Sequence, residues 1–160
     1  MPVQLTQKEK SLLEDQKTHE EICVQKYNSY ANQASDPQLK DLFNSYAQQE
    51  QQHLDTVNQM LQGEVPDMNQ QQGGQQGGQQ QPGQQQFQPA MDQSGKDQDA
   101  VLCNDMLMTE KYVSSTYDTA VFEFQDTNMR KALNHIQKEE QQHGEGIFNY
   151  MKSNGMYNPK

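Results

Sequence analysis

The chain has 160 residues, enough for one domain with a buried core and short for two. Its formal net charge of −10 argues against nucleic acid or an anionic membrane surface as a partner. Only 31% of the residues are hydrophobic, but the shortfall is local: residues 70–88 hold 12 Gln and 5 Gly, and no apolar run anywhere is long enough to insert into a bilayer.

The opening segment, MPVQLTQKEK, lacks the apolar stretch of a secretory signal, so synthesis and retention in the cytoplasm are expected. Thr6-Gln7-Lys8-Glu9 has the form of a capping box and predicts a first helix from there. Its inward stripe reads Leu12 or Leu13, Gln16, Glu20, Cys23, Tyr27, Tyr30 or Ala31, and Ala34, in steps of three and four. Ser35-Asp36-Pro37 breaks it, with Asp36 as a cap and Pro37 at the first position of the next helix. That second helix shows Leu39, Phe43, Tyr46, Glu50, His53, Val57 and Met60, and Gly63 with Pro66 closes it.

Residues 63–95 form a linker rich in Gln, Gly and Pro, with little to bury, expected to be mobile or irregular. A third helix begins around Ser94 to Asp97 and carries Leu102, Met106, Glu110, Val113, Tyr117, Ala120 or Val121, and Phe124. Asp126 and Thr127 offer a cap for the fourth, which carries Met129, Leu133, Ile136, Glu140, His143, Ile147 and Tyr150 and stops near Gly155. Nothing alternates as a strand does. The prediction is an all-α single domain, with hairpin one at about 6–62 and hairpin two at about 96–155.

The two halves repeat with a shift of 90 residues: Glu20 matches Glu110, Tyr27 matches Tyr117, Asp36 matches Asp126, and Glu50-Gln51-Gln52-His53 matches Glu140-Gln141-Gln142-His143. Such regularity suggests a duplicated helical hairpin whose two copies complete one core. Glu and His three apart share a helix face, roughly 5 Å from one another, and can reach one metal ion. Each half adds a Glu 30 residues upstream on the partner helix. Folding one hairpin on the other gathers Glu20, Glu50, His53, Glu110, Glu140 and His143, the ligand set of di-iron and di-manganese carboxylate bundles.

Charge explains why that set suits a cation pair. Four carboxylates balance two divalent ions, whereas empty, each buried charge costs several kcal/mol. Carboxylate with imidazole suits iron or manganese, and zinc could enter in vitro. Tyr27 and Tyr117, two turns after Glu20 and Glu110, either orient a ligating carboxylate or are core aromatics with a wet tip. Glu9, Glu14, Glu123 and Glu145 read as solvated. His135 reads as a surface or bundle-end residue, and His19 as outward, with Glu21 the substitute for Glu20 if the register is off by one. Cys23 and Cys103, without zinc-type spacing, read as small buried thiols near the site, a disulfide being less favoured. Gly144 and Gly146 signal either a close helix contact or a local opening. A linker of about 30 residues also suits a ferritin-like bundle, where the second and third helices run parallel and their connection crosses the full length of the domain.

The stretch DAVLCNDMLMTEKYVSSTYDTAVFEFQDTNMRKALNHIQKEEQQHGEGIFNYMKSNGMY resembles the coat F family of bacterial spore coat proteins, especially the clostridial type. HEEICVQKYNSYANQASDPQLKDLFNSYAQQEQQHLDTVNQML resembles the partner hairpin of that family. The resemblance implies a ferritin-like fold, a spore-former, synthesis in the mother-cell cytoplasm without a signal peptide, and deposition in or under the spore coat. Other spore coat proteins and further copies of the chain are the implied partners. The ligand pattern separately resembles rubrerythrins and other ferritin-like di-iron proteins at Glu20, Glu50, His53, Glu110, Glu140 and His143, with Tyr27 placed as in those relatives. The Cys-rich iron domain of rubrerythrins is lacking here, so a redox cycle needs an outside reductant, or none, as in manganese catalases.

Two functions follow as expectations. One is a di-metal oxidoreductase or metal handler that removes peroxide or oxidises ferrous iron. The other is a structural coat component, its site relict or only stabilising, in which the Gln-rich linker and the ends bearing Tyr150, Lys152, Tyr157 and Lys160 serve association or cross-linking.

Overall fold

A computed structural model describes residues 1–68 and 92–158. They form four helices: α1 (Gln7–Gln33), α2 (Pro37–Leu61), α3 (Gln93–Glu123) and α4 (Thr127–Ser153). No strand occurs among the described residues.

The ends of the helices follow from local chemistry. Glu9 N–H donates to Thr6 Oγ1 at 3.2 Å while Thr6 N–H donates to Glu9 Oε2 at 2.7 Å, closing the capping box on α1. Asp36 caps α2 by accepting from Gln38 N–H, with Pro37 beside it where a missing N–H costs nothing. Asp126 does the same for α4, accepting from Asn128 and Met129. Gly63 (φ 79°) and Gly155 (φ 68°) end α2 and α4 in the left-handed region, and in each case the next N–H returns to the last turn: Glu64 to Gln59 O at 3.1 Å, Met156 to Met151 O at 2.8 Å. Helix α3 starts at Gln93, ahead of the expected Ser94 to Asp97, because Asp92 already caps it through Gly95 N–H at 2.7 Å. A side chain at Gly95 would come within 3.0 Å of Ser35 Oγ, so the first turn of α3 lies directly against the α1–α2 turn.

Each hairpin packs on itself, α1 along α2 and α3 along α4, and the two meet through α1 with α3 and α2 with α4. Lys8 reaches Glu123, Lys26 reaches Asp105 and Ser35 reaches Asp99, so α3 runs antiparallel to α1. His53 reaches Glu139 and Asp36 reaches Tyr150, which makes α4 antiparallel to α2. Helices α2 and α3 therefore run the same way. Of the Gln/Gly crossover expected at 63–95, residues 69–91 lie outside the described residues.

Glu9 is not solvated as the sequence suggests. It is 3% exposed, and its Oε1 accepts Gln125 N–H from the turn of the other hairpin at 2.9 Å. Its repeat counterpart Asp99 is fully buried and accepts Ser35 N–H at 2.8 Å and Asp36 N–H at 2.9 Å from the opposite turn. Each hairpin thus caps the bend of the other, which ties the bundle at both ends. Tyr150, expected among the cross-linking residues, is buried too and donates to Asp36 Oδ2 at 2.6 Å. Among those end residues, Lys152 and Tyr157 are exposed, while Lys160 lies outside the described residues.

Between these ties lie two apolar layers. One is built around Leu39, Phe43, Met106, Ile147 and Met151, the other around Leu13, Val57, Met60, Leu133 and Ile136. Fully burying such a side chain stabilises by about 1.5–3 kcal/mol. Where the sequence left the stripe open, the buried choices are Leu13, Ala31 and Ala120.

Candidate metal centre

Six ionisable side chains occupy the region between the two apolar layers, each on a different turn of the four inward stripes. Glu20 comes from α1, Glu50 and His53 from α2, Glu110 from α3, Glu140 and His143 from α4, and none is more than 3% exposed. The period of 3.6 puts each Glu and the His three residues later on one face. Antiparallel pairing of α2 with α4 then sets Glu50 opposite His143 and Glu140 opposite His53.

The six divide into two overlapping groups. Glu20, Glu50, His53 and Glu140 form one; Glu50, Glu110, Glu140 and His143 form the other; within each group the nearest ligand atoms lie within 4.8 Å of one another. His53 Nδ1 is 3.1 Å from Glu50 Oε2 and 3.0 Å from Glu140 Oε1. His143 Nδ1 is 3.1 Å from Glu50 Oε1 and 3.7 Å from Glu140 Oε2. Glu50 and Glu140 therefore turn one oxygen to each group, while Glu20 stands with His53 and Glu110 with His143. The rings lie 5.8 Å apart at 24°.

Both tyrosines reach across the bundle. Tyr27 Oη donates to Glu110 Oε1 and Tyr117 Oη to Glu20 Oε1, each from one hairpin to the carboxylate of the other. Burial and the surrounding carboxylates push both hydroxyls well above their ordinary pKa, so they remain donors. Neither hydroxyl is a wet tip: both are buried on a carboxylate of the other hairpin.

Sequence reasoning missed the groups behind the histidines. His53 Nε2 lies 2.9 Å from Glu139 Oε2, and His143 Nε2 meets Gln49 Oε1. Gln49 and Glu139 are repeat counterparts, each directly preceding the Glu of its EQQH motif, and that spacing was the available signal. His135 is not at a bundle end. It sits half-buried one turn before Glu139, with its Nε2 against Glu139 Oε1. His19 is partly buried against Tyr112, and Glu21 is exposed, which leaves Glu20 in the cluster. Gly146 makes a close contact rather than an opening, since an added Cβ would overlap Tyr46 Oη; Tyr46 in turn stacks on His143 at 4.2 Å. Both cysteines are free and buried. Cys23 packs in the layer of Leu13 and Val57, where burial and the four carboxylates push its thiol up; Cys103 packs in the layer of Leu39 and Phe43, where burial and Asp99 push its thiol up.

The cluster is electrostatically unbalanced by itself. Burial raises Glu20, Glu110 and Glu140, and the neighbouring carboxylates add to the rise at Glu20 and Glu140. Burial acts the same way on Glu50, but hydrogen bonds from His143 and His53 outweigh it and hold Glu50 well below the usual range. Burial alone would lower both histidines; contacts with Glu139 and Glu50 raise His53, and contacts with Glu110, Glu140 and Glu50 raise His143. Glu20 Oε2, Glu110 Oε2 and Glu140 Oε2 are buried and meet no donor among the described residues. A buried carboxylate oxygen without a donor is costly, and two cations, one in each group, would satisfy all three. The donor set and these orphaned oxygens fit a pair of divalent ions.

The molecule is thus an all-α four-helix bundle enclosing a carboxylate–histidine cluster that could hold metal. Residues 98–160, most of α3 and all of α4, match the family model described as the Coat F domain. The second hairpin is thus similar to the coat F family, and the match leaves out the first hairpin. The matched region supplies Glu110, Glu139, Glu140 and His143, and the first hairpin supplies their repeat counterparts. No curated protein and no solved structure matches the chain. No described helix is long and apolar enough to cross a membrane.

Proposed function

We propose that this chain is a ferritin-like protein of the spore coat, made in the mother cell, that binds two divalent ions, iron or manganese, and uses them to remove peroxide or oxidise ferrous iron. The observation that carries this reading is the sharing of Glu50 and Glu140 between two four-residue groups. In it, Glu50 and Glu140 would serve both ions, Glu20 and His53 would help to hold one, and Glu110 and His143 the other. Bound iron or manganese would supply one-electron chemistry or peroxide disproportionation.

The protein's own part is to assemble and hold those ligands. The two apolar layers keep the carboxylates from water, which strengthens their hold on a cation. Tyr27 and Tyr117 fix the orientation of Glu110 and Glu20, and Glu139 and Gln49 fix the outward nitrogens of the histidines, so that Nδ1 of each ring faces the pocket. Elemental analysis of the protein as isolated tests the reading, beside a Glu50→Ala, Glu140→Ala variant. Two iron or manganese ions per chain, lost in the variant, are expected; equal metal in both would overturn it.

A structural role in the coat is the second reading, favoured by the family and by the Gln-rich segment. In it, the bundle is a building block that associates with other coat proteins or with copies of itself. Deleting residues 67–92 should then reduce incorporation into spores, and unchanged incorporation would remove the segment from that role.

A further inference from the structure

The six candidate ligands and the two tyrosines match across the repeat, but the groups behind the histidines do not. Both rings turn Nδ1 to the shared carboxylates and Nε2 outward. Behind His53 stands the carboxylate of Glu139, 2.9 Å from Nε2 and only 16% exposed. Behind His143, at the repeat-equivalent position, stands the neutral amide of Gln49. His135 Nε2 lies close to the other oxygen of Glu139 without forming a hydrogen bond to it.

An imidazole whose N–H is donated to a carboxylate is a better electron donor at its other nitrogen than one donating to an amide. Glu139 also adds a full negative charge that Gln49 lacks. We propose that the two metal positions are unequal. Glu139 makes the position of Glu20, Glu50, His53 and Glu140 the tighter one, filled first, and Gln49 leaves the position of Glu50, Glu110, Glu140 and His143 weaker and more readily exchanged. This rests on the two-metal reading above and adds an order of filling to it.

Cobalt(II) titration by calorimetry tests it, with the fold of each variant followed by circular dichroism. His143→Gln leaves only the first position complete, and His53→Gln only the second. His143→Gln should bind Co²⁺ roughly 10–100-fold more tightly than His53→Gln, the range typical of such outer contacts. Adding Glu139→Gln to His143→Gln should erase the advantage, and adding Gln49→Glu to His53→Gln should recover much of it. Should the histidine variants fail to fold, the same ranking is read with all ligands present: Glu139→Gln weakens the first Co²⁺ step and Gln49→Glu strengthens the second. Equal affinities in the two histidine variants, or a Glu139→Gln change without effect, would overturn the inequality while leaving the two-metal reading intact. Wild-type protein that takes up no Co²⁺ overturns both.

Discussion

Single side chains in this bundle act across the hairpin boundary more than within their own helices. Tyr117 is the clearest case, since its hydroxyl is the donor to Glu20 Oε1. Tyr117→Phe leaves that buried oxygen without a partner. The metal-free protein should lose about 1–3 kcal/mol in urea unfolding, and Mn²⁺ affinity should fall roughly tenfold or more. Unchanged affinity would reduce Tyr117 to a core aromatic. Gly146 gives a second case, because its missing side chain is the space Tyr46 occupies. Tyr46 is packed against Tyr27 at 5.6 Å and His143 at 4.2 Å and cannot swing away freely. Gly146→Ala should therefore cost about 1–3 kcal/mol by overpacking, even though Ala is the better helix former. Thermal unfolding checks this, and adding Tyr46→Phe, which removes the overlapping hydroxyl, should restore part of the loss.

At the scale of helices, most of the architecture could be read from the chain. The caps at Thr6, Asp36 and Asp126 and the stops at Gly63 and Gly155 are local chemistry, visible without any knowledge of neighbours. The stripes through Leu13, Phe43, Met106 and Leu133 follow from a period of 3.6, and the repeat of 90 residues supplied the pairing of hairpins. What the chain did not disclose depends on how far one helix is slid along another. Glu9 and Asp99 look like ordinary acidic residues near helix starts, and only the antiparallel register of α1 and α3 carries them to the opposite bends. The contacts of Glu139 and Gln49 with the histidines stayed hidden for the same reason, as did the bond from Tyr150 to Asp36, although the stripe already carried Tyr150. Asp99→Ala should leave the Ser35 and Asp36 N–H groups unsatisfied and cost about 1–3 kcal/mol, whereas Glu14→Ala on the solvated face of α1 should stay within about 0.5 kcal/mol. Urea unfolding of the two variants side by side gives the comparison; equal losses would mean that Asp99 contributes no more than a surface acid.

For the molecule as a whole, the seam between hairpins makes stability depend on pH. Burial pushes Asp105 up, but hydrogen bonds from Tyr30 and Lys26 prevail and lower its pKa. A carboxylate with a lowered folded pKa stabilises above its ordinary value of about 4, and that contribution disappears as pH falls through the folded value. Asp105→Asn should thus destabilise at neutral pH, and the gap from wild type should close as acidification protonates the folded carboxylate. A gap that persists undiminished in acid would mean that the Asp105 contacts do not act through charge.

The central claim is that two cations fill the layer between the apolar halves, bridged by Glu50 and Glu140. Anomalous diffraction from crystals grown with Mn²⁺ addresses it directly. Two strong peaks are expected between those carboxylates, one beside His53 Nδ1 and the other beside His143 Nδ1. An interior without anomalous signal, or peaks confined to surface carboxylates, would contradict the account.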